Sequence, residues 1–212
     1  MIRLDDDRTR SFLPDGALDD LRPDLEAAHQ SVLDKDGAGG EMLGWRDLLL
    51  DPDDALIEDL EATADRLRRD ADVLLCLGIG GSYLGAKAVI DALTPYFSSA
   101  PAPSSEAEGG KSAHPDRPPE IHFAGHQTSG AYLRQLLDSL EGKSVYVNVI
   151  SKSGTTLETA LAFRFVRAWM YDRFDDADDR IIVTTDPEKG ALNILHEEHG
   201  YKKYVIPRDV GG

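Results

Sequence analysis

Apolar residues in this chain gather into short unbroken runs, set between longer stretches in which apolar and polar positions recur at helical spacing. The runs are Val73 to Leu77, Glu120 to Ala124, Ser144 to Ile150, Arg180 to Thr184 and Lys203 to Ile206. Continuous rather than alternating apolar character predicts strands buried on both faces, and therefore a parallel sheet with helices on each side. The stretches between them predict helices over Leu84 to Leu93, Gly130 to Ser139, Thr156 to Phe174 and Pro187 to His199. Right-handed crossovers then give an α/β fold: a doubly wound, mainly parallel, five-stranded, flavodoxin-like sheet. Ahead of it, residues 1–50 have weak periodicity and read as a mostly helical extension, with one helix around Pro23 to Leu33. A flexible Asp36-Gly37-Ala38-Gly39-Gly40 follows. Asp51 and Pro52 look like an N-cap and a first helical residue. The helix they open carries Leu56, Leu60, Ala64 and Leu67 on one face and runs to about Arg69. The α/β domain is thus expected over 51–212.

One segment breaks the alternation. Residues 98–119 are mostly Ser, Ala, Pro, Gly and charge. Such a stretch buries too little apolar area to offset the entropy of ordering it, and is expected to be a mobile surface insertion between a helix and the next strand. Composition narrows the function classes. Net charge is −16, from 39 acidic against 23 basic residues. A chain so acidic lacks the basic footprint that nucleic acid or an anionic membrane requires, and neither partner is expected. Acidic runs such as Asp51 to Asp54 and Asp175 to Asp179 read as solvated surface. The single cysteine, Cys76, sits inside a predicted strand, where a thiol is dry and inert. No apolar signal core and no run of about 20 apolar residues is present, so a cytoplasmic location is expected.

The chemistry is carried by two turns, each following a predicted buried strand and opening a helix. The first lies in VLLCLGIGGSYLGAKA, Val73 to Ala88; the second in VYVNVISKSGTTLETALAF, Val145 to Phe163. Backbone N–H groups in a tight turn, together with the positive end of the next helix, form an anion site. Hydroxyls at Ser151, Ser153, Thr155 and Thr156 add donors. Better-known loops do not fit the first turn. The dinucleotide fingerprint fails because Tyr83 stands where its third glycine belongs. The nucleotide P-loop fails because Ala86 stands in the lysine position and Lys87 comes one residue late. The nucleophile elbow fails because Leu84, not glycine, follows Ser82 by two. Two such turns in one sheet point to a phosphorylated ligand held without metal or cofactor.

GIGGSYLGAKA, VISKSGTTLETALAFR and VIPRDVGG, in that order, resemble the shorter bacterial and archaeal type of glucose-6-phosphate isomerase. LGWRDL at Leu43 to Leu48 and TTDPEKGAL at Thr184 to Leu192 resemble the same family. The likeness covers about Gly40 to Gly212 apart from the insertion. It implies a sugar-isomerase domain and the reversible interconversion of glucose 6-phosphate and fructose 6-phosphate, by ring opening and proton transfer through a cis-enediol. It implies that Gly81, Ser82, Ser151, Lys152, Ser153, Thr155 and Thr156 hold the phosphate, and that Gly211 and Gly212 lie near the substrate. It implies that Glu158 orients a ring-opening histidine of a second subunit, and hence a homodimer. The residues themselves allow another role for Glu158, as a first-turn acid stabilising its own helix. The family's enediolate-stabilising arginine, general-base glutamate, histidine and lysine belong to sequence beyond Gly212, in a second catalytic domain. The chain is therefore expected to be the phosphate-binding half of an isomerase, inactive alone, with a free-standing phosphosugar-binding module as the alternative.

Other candidates carry less. His196-Glu197-Glu198-His199 misses the zincin spacing by one residue and reads as favourable charge at a helix end. His126, just past a predicted strand, reads as a loop-packing side chain at the ligand end of the sheet. Phe163, Phe165 and Trp169 read as core or interface residues of one helix.

Overall fold

The computed structural model describes residue 5, residues 7–94 and residues 118–211. Nearly all of the expected insertion at 98–119, and Gly212, lie outside the described residues. Helices α1 (Asp7–Arg10), α2 (Ala17–Asp20), α3 (Arg22–Asp34) and α4 (Gly44–Leu50) precede α5 (Asp54–Asp70). Strands β1 (Val73–Leu77), β2 (Glu120–Ala124), β3 (Val145–Ile150), β4 (Ile181–Thr185) and β5 (Lys202–Val205) then alternate with α6 (Gly81–Leu93), α7 (Gly130–Ser139), α8 (Leu157–Arg173) and α9 (Ala191–His199).

All five strands are parallel and lie in the order β2-β1-β3-β4-β5. This is the doubly wound, flavodoxin-like order that the apolar runs predict. Alternate strand residues divide between two cores. Val73, Leu75, Leu77, Val145, Val147, Val149, Ile181 and Val183 pack with Phe163, Val166 and Met170 of α8. Tyr146 and Ile182 pack on the opposite face with Leu67 of α5, against partly buried Leu74 and Tyr204. The central strands β1, β3 and β4 therefore have two apolar faces, which is why their runs are unbroken, while the edge strands β2 and β5 are only partly buried. Burial of aliphatic side chains on both faces, at roughly 1.5–3 kcal/mol each, is the main force holding the layers together.

Three helix starts differ from the sequence reading by two residues or more, each for a local reason. Helix α5 is capped by Asp53, not Asp51: Asp53 has extended backbone, and its carboxylate accepts from Leu56 N at 3.1 Å. The face predicted for α5 is buried at Leu67 but leaves Leu56 and Leu60 exposed. Polar contacts tether this stretch instead: Lys202 Nζ donates to Asp59 at 2.6 Å, and Tyr204 Oη reaches Thr63 Oγ1 at 2.7 Å. Helix α9 opens at Ala191 rather than Pro187, because Asp186 accepts from the amides of Glu188 and Lys189 and closes a separate turn first. Helix α6 opens early, at Gly81, since Gly80 turns the chain at φ 59. That places Ser82 in the first turn of α6.

Candidate functional site

Strand order reverses between β1 and β3, so the helices that follow them, α6 and α8, leave on opposite faces and open a crevice at the carboxyl ends of these two strands. Both special turns end there. Their proximity is measurable at Gly78: a Cβ on it would stand 3.0 Å from Ser82 Cβ and 3.3 Å from the Ile150 carbonyl oxygen. Ser82 is thus brought beside the start of the second turn, while Gly81 is exposed at the first position of α6.

The second turn is a set of interlocked hydroxyls. Ser151 is buried and its Oγ accepts from Gly154 N at 3.2 Å. Ser153 Oγ accepts from both the amide and the hydroxyl of Thr155, each at 3.2 Å. Thr156 Oγ1 lies 3.3 Å from Ser151 Oγ and 3.4 Å from Ser153 Oγ. Thr156 is the N-cap residue of α8, so this cluster stands at the positive end of a 17-residue helix. Glu158, in the first turn of α8, is partly buried, and its side chain makes no hydrogen bond among the described residues. Lys152 differs from its neighbours: its ammonium donates to the carbonyls of Arg208, at 3.0 Å, and Val210. Gly211 follows Val210 and is exposed.

Supports of the turn lie in residues that sequence reasoning did not single out. Thr185, fully buried, donates its hydroxyl to the Ser151 carbonyl at 2.8 Å. The Asp186 amide donates to the Lys152 carbonyl at 3.2 Å. Gly190, at φ 95, lies against the turn: a Cβ there would fall 2.4 Å from Ser153 O. Asn193 holds this second layer by donating from Nδ2 to the Asp186 carbonyl at 2.9 Å and to the Lys189 carbonyl. The available signal was a buried-looking threonine closing a strand, and a glycine immediately before a helix. Amide hydrogen bonds from Glu188 and Lys189 hold the Asp186 carboxyl below its ordinary value, which fixes the loop as a charged turn.

Thr159 is buried and turns away from the hydroxyl cluster, its Oγ1 donating to the Gly125 carbonyl at 3.4 Å. His126 packs between rings, stacked on Tyr83 at 5.3 Å and edge-on to Tyr132 at 6.1 Å. His196 donates from Nδ1 to the Tyr201 carbonyl at 2.7 Å, and His199 Nε2 accepts from Arg167 at 2.7 Å. No group of three or more His, Cys, Asp and Glu side chains among the described residues could hold a metal ion. No described helix is long and apolar enough to cross a membrane. Burial pushes the Cys76 thiol up to about 12. On α8, Phe163 is buried in the core, Trp169 is half-buried and Phe165 is exposed. A groove of about 420 Å³ runs from Ser151 and Thr156 along α8, past Phe163 and Arg164, to Arg167.

Comparison with known proteins relates the whole chain to glucose-6-phosphate isomerases. Over its full length the chain is 43% identical to a glucose-6-phosphate isomerase of Alkaliphilus metalliredigens and 42% identical to one of Shouchella clausii. It spans 45% of the length of each of these relatives. A solved structure of a hypothetical protein from Thermus thermophilus superposes on the whole chain with a TM-score of 0.73 and 30% identity, again over 45% of that chain. A glucose-6-phosphate isomerase of Chlamydia trachomatis shares the fold over 73% of the chain, with a TM-score of 0.53 and 21% identity; the match spans 26% of that protein. No protein-family model matches. The chain is therefore homologous throughout to glucose-6-phosphate isomerases of the shorter type, and corresponds to somewhat less than half of one.

Proposed function

We propose that this chain is the phosphate-binding part of a glucose-6-phosphate isomerase, the enzyme that interconverts glucose 6-phosphate and fructose 6-phosphate in glycolysis and gluconeogenesis. The observation that carries the reading is the hydroxyl cluster of Ser151, Ser153 and Thr156 at the start of α8, beside Ser82, in a chain related to such isomerases over its entire length. Hydroxyls, backbone amides and a helix N-terminus suit a phosphate dianion, because they present donors without an opposing carboxylate. In this reading Gly81, Ser82, Ser151, Ser153, Thr155 and Thr156 hold the phosphate, and Lys152 supplies the nearby positive charge. The sugar extends toward Gly211.

Anchoring the substrate by its phosphate leaves the far end of the sugar free to react. The proton moved between C1 and C2 needs a base positioned on that far end, and we assign it to sequence outside these 212 residues. Glu158 is the one residue of this chain assigned a part in ring opening, by orienting a histidine of a second subunit. A homodimeric whole protein is part of the proposal; the exposed stripe of Leu157, Leu161 and Phe165 along α8 supports it as a surface that further protein would cover. The test is a pair of measurements on the 212-residue chain. Calorimetry should detect binding of glucose 6-phosphate but not glucose, and a coupled isomerase assay should read background. Substantial turnover that survives repurification would overturn the division of labour, and absence of any sugar-phosphate binding would overturn the assignment of the turn.

A further inference from the structure

Lys152 is the cation of the second turn, yet its side chain is committed elsewhere. Its ammonium donates to the carbonyls of Arg208, at 3.0 Å, and Val210, both in the loop that leaves β5. That loop is held on its other side by the N-terminal region. Gly44 N donates to the Asp209 carbonyl at 2.9 Å, and Leu43 and Val210 form an isolated antiparallel bridge. Within the loop, Val210 N donates to the Pro207 carbonyl at 3.2 Å; Arg208 reaches out of it to pair with Glu188, in the turn ahead of α9, at 2.5 Å. The loop therefore has three attachments, one to the N-terminal region at Leu43 and Gly44, one to the turn ahead of α9 through Arg208 and one to the second turn through Lys152.

An ammonium has three N–H donors and no acceptor. Two are used on the loop carbonyls, and one remains. We infer that Lys152 is a positioning residue that fastens the loop 207–211 to the phosphate turn and, with its third donor, couples phosphate binding to the closure of that loop. The fastening stands on the observed hydrogen bonds alone; the coupling rests on the function proposed above. A phosphate oxygen reached by the third donor fixes the ammonium and hence both carbonyls. A loop already fixed in turn presents an oriented ammonium to phosphate. Such coupling is reciprocal by necessity. Its consequence is that Gly211, which follows Val210, is set in place by the same cation that meets the substrate's charged end.

Hydrogen exchange at the Gly44 and Val210 amides tests both parts, with inorganic phosphate and glucose 6-phosphate as probes and the Leu75 and Leu77 amides of β1 as a report on global folding. Without ligand, Lys152→Met should speed exchange at Gly44 and Val210 by about tenfold or more, the equivalent of one charge-assisted hydrogen bond, and leave β1 unchanged. In the wild type, saturating phosphate should slow exchange at Gly44 and Val210 further; in Lys152→Met the same occupancy should not. Lys152→Gln keeps an amide donor without charge and serves as the second variant if the methionine protein fails to fold. Unchanged ligand-free exchange at Gly44 and Val210 in both variants would remove the fastening role. Ligand-induced protection that persists in the variants would remove the coupling. A wild type that binds no phosphate would remove the coupling and the proposed function together, while the fastening measured without ligand would stand.

Discussion

The packing of Gly190 against the second turn gives the sharpest single-residue test of how the candidate site is built. Gly190 has φ 95 and ψ 164, a region of backbone space open essentially to glycine alone. A side chain forced to hold it costs about 1–3 kcal/mol. Space adds a second penalty. A Cβ at Gly190 would lie 2.4 Å from Ser153 O, 3.1 Å from Ser153 C and 3.3 Å from Gly154 Cα. These are backbone atoms, so no rotamer change relieves the overlap, and overpacking of this kind costs roughly 1–3 kcal/mol more. Gly190→Ala should therefore destabilise by about 2–6 kcal/mol in total. At roughly 2–4 °C per kcal/mol for a chain of this size, the melting temperature should fall by at least about 4 °C. Gly85→Ala is the matched control. Gly85 is exposed in α6, with nothing within 4 Å of where a Cβ would stand, so alanine should stabilise by about 0.5–1 kcal/mol. Calorimetric or urea-induced unfolding of both variants at one pH decides the matter. A Gly190→Ala protein melting within about 2 °C of wild type would refute the close approach between the α9 loop and the turn.

The remaining expectations concern charge and hydroxyl chemistry. Ser151→Ala and Thr156→Ala should each cost about 1.5–3 kcal/mol in sugar-phosphate affinity, whereas Thr159→Ala should leave it unchanged because that hydroxyl serves the Gly125 carbonyl; equal losses by calorimetry would contradict this. Cys76, with its thiol pushed up to about 12 by burial, should resist a disulfide reagent near neutral pH and react once the chain is unfolded; rapid native-state labelling would show that β1 is open. The folded Asp186 carboxyl titrates below its unfolded value of 3.8, so the stability it adds is present above that pH and is lost as pH falls through the folded value. The stability gap between wild type and Asp186→Ala should thus be present near neutral pH and narrow as pH drops below 3.8; a gap that does not change with pH would assign it to packing instead.

Strands and their order were legible because two-sided burial leaves an unmistakable trace. VLLCL and EIHFA fall on β1 and β2 residue for residue, and the other three strands differ by one position at their ends. Helix starts were less legible wherever several acids compete to cap. Around Asp51, Asp53 and Asp54 the composition does not say which carboxylate finds an amide, and a proline one residue earlier drew the reading to Asp51. Around Asp186 a cap-and-proline pattern announces a helix, while the chain makes a carboxylate turn and waits for Gly190 before α9 begins. The hydroxyl cluster could be read from sequence because its members lie within six consecutive residues, Ser151 to Thr156. Its supports could not, since Thr185, Gly190 and the carbonyls of Arg208 and Val210 reach it only through the sheet register and the loops beyond it.

That arrangement bears on how the turn would receive an anion in the proposed role. Each hydroxyl has one proton to donate and two lone pairs to accept with. In the turn, Ser151 Oγ accepts from Gly154 N, and Ser153 Oγ accepts from Thr155 N and Oγ1. Accepted bonds fix where these oxygens sit. The contacts that would use the Thr156 hydroxyl as donor or acceptor are the long ones, 3.3 and 3.4 Å, and are the cheapest to exchange. A phosphate seated as proposed would take the protons of Ser151 and Thr156 while the amide bonds to Ser151 and Ser153 stay in place. The turn would then move little on binding, and the ordering cost that weakens most loop-borne sites would already have been met by the Thr185 hydrogen bond and the packing of Gly190. On this argument the oxygens of the second turn act as a preset frame. What adjusts to the ligand is the proton on each hydroxyl and, through Lys152, the loop that follows β5.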